Sequence, residues 1–272
     1  FLWGNRHLTE YQINNSKPDL VHETYYSKHS SFIKKIPRVL TVFDMIHELF
    51  PEDFSKTDII THRKKIACER ADHIISISNN TKKDLVNFFG ISPEKISVIH
   101  LACDQIIQNN SGVGKLNFKK NFLLYVGSRQ GYKNFNGLLE AVSISKELIN
   151  NFDVIAFGGG SFSSKEISFI HSLGFRKDQV RQIGGDDSVL ALLYQKATAF
   201  VYPSKYEGFG IPPLEAMTYS CPVISSNTSS IIEVVGDAGE SFNPDNIENI
   251  KSSIENVVFS SEYLDKLKKK GH

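Results

Sequence analysis

The chain has 272 residues, with 31 lysines and arginines against 30 aspartates and glutamates, and its formal net charge is +1. Hydrophobic residues make up 40% and charged residues 22%, which is typical of a globular protein long enough for two domains. The near-neutral charge argues against a nucleic-acid-binding protein. No apolar run reaches the roughly 18 residues of a membrane helix. The three dispersed cysteines argue against a disulfide framework or a zinc site.

Short apolar runs alternate with helical stretches along the chain, which predicts α/β domains whose parallel sheets are covered by helices on both faces. In the first part, strands are predicted at 19–23, 39–44, 73–78 and 97–101. Helices are predicted there at 56–70 and 80–89. In the second part, the predicted strands are 122–127, 153–157, 180–183, 199–202, 222–225 and 240–242. The helices between and after them are predicted near 137–149, 163–173, 188–196, 213–219 and 246–258.

A polar, glycine-bearing stretch without an apolar period, at about 105–120, predicts a domain boundary. We assign residues 1–107 to a first domain and 108–272 to a second. The second has a full set of strands for a dinucleotide-type sheet. The first lacks the strand, tight turn and helix with which such a domain normally opens, so we expect it to be truncated at its start.

The most informative stretch, Tyr202–Glu215, follows a buried strand and opens a helix. Gly208 and Gly210 permit a close approach of ligand to backbone, and two prolines fit the first helical turn. Glu207 and Glu215 bracket this turn, where they can reach the hydroxyl groups of a ligand. The amides expected to point out of the helix N-terminus, toward an anion or a hydroxyl, are those of Phe209, Gly210 and Ile211. The alternative is an ordinary capped helix.

The segment Glu207-Gly-Phe-Gly-Ile-Pro-Pro-Leu-Glu215 resembles the Glu-x7-Glu motif of retaining GT-B glycosyltransferases, and in particular glycosyltransferase family four (group 1, mannosyltransferase-like). Further segments resemble the same family in the same order, namely 42–51, 71–78, 124–134, 199–204, 221–230 and 232–239. The resemblance covers most of the chain. It implies a GT-B fold, in which two Rossmann-like doubly wound domains face a cleft. It also implies that 1–107 is an incomplete acceptor-side domain and that 108–272 is the donor-binding domain, without the family's C-terminal crossover helix.

The resemblance implies transfer of a hexose, with retention, from a nucleotide-diphosphate sugar to a glycan or lipid-linked acceptor, in the synthesis of a surface polysaccharide such as O-antigen, lipopolysaccharide or capsule. Glu207 would then hold the hexose and Glu215 the ribose. Lys133 would neutralise the phosphates, with Arg129 as second cation because Tyr132 stands where many relatives have arginine. The alternative for both cations is a solvated loop. The donor-binding residues implied are Gly127, Ser128, Arg129, Lys133, Asn134, Gly158, Glu207, Gly208, Phe209, Gly210, Ile211 and Glu215.

Metal chemistry has no support in the sequence. The chain contains no Asp-x-Asp, and its nine histidines show no ligand spacing on one helix. Lysine, arginine and helix amides can neutralise a diphosphate instead. We therefore expect no essential metal and no cofactor, with the nucleotide sugar serving as a substrate.

For three further segments, the sequence leaves two interpretations open. Asp44, which ends a strand, is a catalytic candidate on the acceptor side together with His47, or else it caps a loop. Gly158, in the run 157–160, either borders the nucleotide base or only makes a turn. The stretch 183–187 either contacts the base or forms a helix N-cap at residue 187 or 188. A separate general base is not identified.

Basic segments at 62–65 and 266–272 are either solvated helix faces or contacts for anionic lipid. With the free cysteines, they lead us to expect a cytoplasmic protein that is peripheral at the inner face of the membrane. Two other functions fit the same architecture: a non-catalytic module that binds a nucleotide sugar and regulates a partner, and a nucleotide-sugar epimerase.

Overall fold

The computed structural model describes residues 11, 15–16, 18–26, 36–103, 118, 120–129 and 131–271. The chain divides into two compact units, Phe1–His100 and Leu101–His272, and each contains one parallel sheet. The α/β class predicted from the sequence is therefore confirmed. The predicted boundary at 105–120 lies almost entirely outside the described residues and stays a prediction.

The first unit contains a four-stranded parallel sheet in the order β1–β2–β3–β4. Its strands are β1 (Val21–Glu23), β2 (Arg38–Val42), β3 (His73–Ser76) and β4 (Ile96–Val98). From residue 36 onward, the α-helices of this unit are α1 (Ile46–Leu49), α2 (Ile60–Arg70) and α3 (Asn79–Phe89). Apolar side chains of β2 and β3, such as Leu40 and Ile74, pack against Cys68 of α2 and Leu85 of α3. Every predicted strand and helix of this unit is present among the described residues, whereas α1 was not predicted.

The second unit contains a six-stranded parallel sheet in the order β10–β9–β8–β5–β6–β7. Its strands are β5 (Asn121–Val126), β6 (Phe152–Phe157), β7 (Val180–Ile183), β8 (Ala199–Tyr202), β9 (Val223–Ser226) and β10 (Gly239–Phe242). Strand β5 is buried on both faces, because Leu123 and Tyr125 enter one core and Phe122 and Leu124 enter the other. A nearly continuous apolar run such as this one is what a parallel sheet between two helical layers requires.

The helices of the second unit are α4 (Phe135–Ser143), α5 (Lys146–Asn151), α6 (Ser164–Ser172), α7 (Asp187–Lys196), α8 (Ile211–Thr218), α9 (Ile231–Val235), α10 (Ile247–Val258) and α11 (Ser261–Lys270). They follow the predictions except that one predicted helix is divided, the N-cap of α7 precedes the predicted positions, α9 was not predicted, and α11 was predicted only as a helix end at 266–272. The single helix predicted at 137–149 was wrong, since Ser145 starts a new helix by accepting a hydrogen bond from the Leu148 amide. The N-cap of α7 is Asp186, whose carboxylate accepts from the amides of Ser188 and Val189.

The order of the strands creates a switch point between β5 and β8. The chain enters the sheet at β5, builds β6 and β7 on one side, and then returns to build β8, β9 and β10 on the other. In open α/β sheets, ligands bind at such a point, beyond the carboxyl ends of the strands. We name the three segments at this edge the β5 loop (127–134), the β6 loop (158–163) and the β8 loop (203–210).

No helix within the described part of the chain is long and apolar enough to cross a membrane. The three cysteines are free, and Cys68 and Cys221 are buried. Burial raises the pKa of each of these two thiols to about 12. We therefore treat both as small apolar core residues.

Candidate active site

The β5 and β8 loops are joined by backbone contacts at the switch point. The Lys205 amide donates to the Tyr132 carbonyl over 2.8 Å. The Asn134 side chain donates to the carbonyls of Pro203 (3.2 Å) and Pro244 (2.9 Å). These bonds fix the last part of the β5 loop against the ends of β8 and β10.

Asn134 can take this position because of two local features. Its φ of 55° lies in the left-handed region, which asparagine tolerates better than most residues. A Cβ at Gly137 would lie only 2.6 Å from the Asn134 side-chain oxygen, so a glycine one turn into α4 leaves the room that the amide needs. Asn134, predicted as a donor-binding residue, therefore has a clear structural role at the site.

Lys133 and Glu207 are brought together by these loops, although 74 residues separate them in the sequence. The Lys133 ammonium lies 2.7 Å and 2.9 Å from the two Glu207 carboxylate oxygens. Their side chains keep 18% and 9% of their surface exposed. The Lys133 nitrogen also lies 5.3 Å from the centroid of the Tyr132 ring. The structure thus places the two most important candidates of the sequence analysis in direct contact.

Glu207 is supported by two serines that the sequence analysis did not single out. The Glu207 amide donates to the Ser229 hydroxyl over 3.0 Å. The Ser230 hydroxyl lies 2.7 Å from the carbonyl oxygens of both Glu207 and Phe209. Both serines lie in the segment 221–230, which had matched the family pattern, so that match was the available signal for them.

Two buried tyrosines surround the pair. Burial raises the pKa of Tyr202 well above its usual value, and a hydrogen bond to Glu207 raises it further. Burial, with the nearby charge of Glu207, also raises the pKa of Tyr125, whose hydroxyl donates to the Ser128 carbonyl. Both phenols therefore stay neutral and act as hydrogen-bond donors. Gly127 precedes Ser128 and extends the sheet, since its amide donates to the Phe157 carbonyl over 3.0 Å.

The glycine turn of the β8 loop leads directly into α8. Gly210 has a φ of 144°, in a region that residues with a side chain rarely adopt, and α8 begins at Ile211 with prolines in its first turn. The N-cap residue of α8, Gly210, makes no side-chain cap bond to the helix, and the ordinary capped-helix alternative is not tested by this geometry. Gly208 and Phe209 are buried.

Glu215 lies further along α8 and is only partly exposed. The Tyr194 hydroxyl donates to its carboxylate over 3.1 Å. Burial raises the pKa of Glu215, and the bond from Tyr194 opposes that shift. The carboxylate is thus held by a neutral donor, and it remains able to accept hydrogen bonds from hydroxyl groups.

Arg129, predicted as a second cation, contacts a different loop from Lys133. Its guanidinium donates to Glu166 (2.6 Å), to the Gly158 carbonyl (2.9 Å) and to the Ser161 carbonyl (3.3 Å). These bonds join the β5 loop to the β6 loop and to α6, whereas Lys133 joins the β5 loop to the β8 loop. Gly158 is thereby placed beside Arg129.

The acceptor-side candidates lie in the first unit. The Asp44 carboxylate accepts from the Ile46 amide over 3.0 Å, in the turn that precedes α1. His47 pairs with Asp58 over 3.1 Å. The expectation of a solvated basic face at 62–65 was wrong at Lys64, which is fully buried and donates to Glu48 over 2.7 Å.

The site contains the groups that would bind an anion and hydroxyls next to each other: an ammonium, two carboxylates and a glycine turn at a helix N-terminus. Within the part of the chain that the structure describes, no group of three or more histidines, cysteines, aspartates or glutamates could hold a metal ion. The expectation that no metal is essential stays a prediction.

Family models match both parts of the sequence. The model described as "Glycosyl transferases group 1" matches residues 106–272, and "Glycosyltransferase Family 4" matches residues 1–105. The chain belongs to the group 1 glycosyltransferase family. The recognition made from the sequence motifs is thereby confirmed.

Individual proteins of known activity are also similar to this chain. The O-antigen chain mannosyltransferase B of Escherichia coli is 29% identical over 85% of this chain and 64% of its own length. The O-antigen chain mannosyltransferase RfbU of Salmonella typhimurium is 27% identical over 81% of this chain and 60% of its own. The chain therefore spans less than two thirds of these two relatives. The crystal structure of Anabaena Alr3699/HepE in complex with UDP and glucose matches with a TM-score of 0.74 and 18% identity, covering 97% of this chain and 74% of that one. This last likeness confirms the GT-B-type fold.

Proposed function

We propose that the chain is a retaining glycosyltransferase that moves a hexose from a nucleotide-diphosphate sugar to a glycan or lipid-linked acceptor in surface polysaccharide synthesis. The observation that carries the proposal is the contact of 2.7 Å between Lys133 and Glu207 at the switch point of the second sheet. Family membership and the O-antigen mannosyltransferases among the relatives support it. A mannosyl donor is therefore the first to test.

The roles of the residues follow from the charge that develops in the reaction. When the anomeric carbon–oxygen bond breaks, the nucleoside diphosphate leaves with additional negative charge. The Lys133 ammonium would stabilise that charge without a metal ion. Glu207 would accept hydrogen bonds from hexose hydroxyls, and Glu215 from the ribose. Asp44 keeps its proposed role on the acceptor side.

Contact with anionic lipid is part of the proposal for one basic segment only. Lys268, Lys269 and Lys270 are exposed at the end of α11, where they can meet a charged surface. Lys64 cannot take part, since its side chain is fully buried. We thus propose a peripheral contact through α11, on the cytoplasmic side of a membrane.

Calorimetric titration with UDP-, GDP-, ADP- and dTDP-sugars, with and without EDTA, tests donor binding and the metal expectation together. We expect one nucleotide class to bind, with unchanged affinity in EDTA. Lys133→Ala should abolish most of that affinity. Lys205→Ala is the matched control, because Lys205 lies in the neighbouring β8 loop and pairs with the exposed Asp245. Failure of every nucleotide to bind the folded protein would contradict the proposal.

A product assay separates the proposed function from the other two. A transferase produces an elongated acceptor or, without an acceptor, slowly releases free sugar from the donor. An epimerase produces an isomeric sugar and extends no acceptor, and a binding module produces neither. Donor binding with no transferred or released sugar, across the full set of donors and acceptors, would favour the binding module.

A further inference from the structure

Arg129 is the most enclosed cation of the three loops at the switch point, with 4% of its side chain exposed. Three of its nitrogens donate to the β6 loop and α6, as given above. The carbon at the centre of its guanidinium also lies 4.7 Å from the centroid of the Phe162 ring. These contacts use three of the five N–H donors of the guanidinium, and the enclosed side chain leaves little of the group open to a ligand phosphate.

The partner carboxylate of Arg129 has a second task at the start of α6. One oxygen of Glu166 accepts from Arg129, and the other accepts from the amide (2.7 Å) and the hydroxyl (2.8 Å) of Ser163. Burial raises the pKa of Glu166, but the hydrogen bonds from Arg129 and Ser163 outweigh it and lower the pKa to about 2. The pair is ionised at neutral pH and connects the β5 loop to a capped helix.

The β6 loop has little preference of its own for one conformation. Gly158, Gly159 and Gly160 have φ values of 88°, 69° and 70°, so three successive glycines occupy the left-handed region. A Cβ at Gly159 would lie 2.5 Å from the Arg129 guanidinium. Glycine at this position therefore lets the loop close over the arginine, and the arginine in turn holds a segment that would otherwise be free to move.

We propose that Arg129 is a positioning residue, which with Glu166 anchors the β5 loop so that Lys133 meets the donor phosphates, and that it does not itself bind phosphate. This inference rests on the proposed function, since it concerns the same donor site. It assigns the two ends of the β5 loop different tasks. Arg129 anchors the loop to α6, and Lys133 faces Glu207 and the ligand.

The two possible roles of Arg129 differ in what Glu166 does. If Arg129 binds phosphate, Glu166 competes with the ligand, and Glu166→Gln should leave donor affinity unchanged or strengthen it. If Arg129 positions the loop, Glu166→Gln should weaken affinity as Arg129→Met does. Lysine at position 129 adds a second distinction. It keeps the charge that a phosphate needs, but it cannot make three diverging hydrogen bonds.

The experiment measures the dissociation constant of whichever of UDP, GDP, ADP and dTDP binds the wild-type chain most tightly. We expect Arg129→Met, Arg129→Lys and Glu166→Gln each to weaken binding by about 3- to 30-fold, the range found for residues that act through a network. The double variant Arg129→Met/Glu166→Gln should lose no more than either single variant. Thermal melts ensure that each variant is folded at the temperature used.

Arg181→Met is the matched control. Arg181 pairs with Asp153 over 3.2 Å between β7 and β6, in the same unit but outside the three loops. The Arg181→Met variant should bind the nucleotide with the affinity of the wild type. One outcome would overturn the inference and assign Arg129 to phosphate binding. In that outcome, the Glu166→Gln variant binds the nucleotide normally or more tightly, while the Arg129→Met variant loses affinity. Wild-type affinity in all three single variants would overturn it in favour of a purely structural pair. A wild-type chain that binds no nucleoside diphosphate would instead overturn the proposed function, and the inference with it.

Discussion

Two lysine–glutamate pairs, one in each unit, have the same contact distance and different surroundings. Lys64 and Glu48 lie 2.7 Å apart with 0% and 3% of their side chains exposed. Lys133 and Glu207 also lie 2.7 Å apart, but 18% and 9% of their side chains are exposed. The first pair is closed to any ligand, whereas the second opens at the edge of a sheet where ligands bind. The burial of the two side chains, and not their pairing, therefore separates a structural ion pair from a candidate site.

The enclosed pair holds the segment that follows β2. Lys64 reaches from α2 to Glu48 of α1 and also donates to the Asp44 carbonyl over 2.9 Å. Among the described residues, the second carboxylate oxygen of Glu48 has no hydrogen-bond partner. Such a pair adds little net stability, but the loss of one partner leaves a buried charge uncompensated.

The largest effect is expected from Lys64→Met. It should lower the free energy of unfolding by about 3–5 kcal/mol, because Glu48 would keep a buried charge without its partner. The double variant Lys64→Met/Glu48→Leu should recover most of this loss, since neither charge remains. Denaturant titration measures both. A loss below about 1 kcal/mol in the single variant would show that the two pairs do not differ in this way.

The open pair should show the opposite profile. Lys133→Ala should lower donor turnover by roughly 10²–10³, by comparison with the removal of other groups that stabilise developing charge. Its stability loss should be smaller than that of Lys64→Met, because solvent can reach Glu207. Rates of donor turnover, together with the same denaturant titration, test both statements. Lys205→Ala should change neither quantity by much, since its pair with Asp245 is exposed.

The sequence predicted well those features that a few neighbouring residues determine. The strands of the second unit agree to within one residue, because each is a compact apolar run between turn residues. The turn at Gly208–Gly210 was predicted because glycine permits backbone angles that other residues rarely adopt and proline fixes the backbone at the start of a helix. The contact between Lys133 and Glu207 was anticipated only through the family resemblance, since no local pattern connects residues so far apart.

Two features could not be predicted from neighbouring residues, because they depend on packing partners far along the chain. Four basic and polar residues at 62–65 form a charged pattern, which does not indicate that Lys64 alone turns inward. Arg129 was assigned to phosphate from the family resemblance and its place in the same loop as Lys133, neither of which indicates a contact with α6. Its actual partner, Glu166, lies 37 residues away. The break between α4 and α5 was missed because the apolar period continues across Ser145.

A third prediction concerns Glu215, the other carboxylate proposed to meet the donor. Burial raises its folded-state pKa above the unfolded value, so ionising it opposes folding. The free energy of unfolding should therefore fall as the pH rises from the unfolded pKa of about 4.3 through the folded pKa. Glu215→Gln should remove this dependence, leave stability at neutral pH equal or slightly higher, and weaken donor binding. Thermal melts at a series of pH values measure the first effect and calorimetry the second.

The smallest effect on stability is expected from a third ion pair, Arg129–Glu166. The Glu166 side chain is 22% exposed, more than those of Glu48 and Glu207 in the other two pairs. The pKa of Glu166 is lowered to about 2, so the pair's contribution is fully present above the unfolded pKa of about 4.3 and is lost as the pH falls toward 2. Glu166→Gln should therefore flatten the acid side of the stability profile between these values, and its loss of stability relative to the wild type should be greatest above about pH 4.3, where the pair's contribution is complete, and modest there because solvent screens the pair. Asp153→Asn, in the pair with Arg181, is the control. Thermal unfolding between pH 2 and 5 is the measurement. Identical acid slopes for wild type and Glu166→Gln would mean that Arg129 does not hold an ionised partner, and the anchoring of the β5 loop would then rest on its two carbonyl contacts alone.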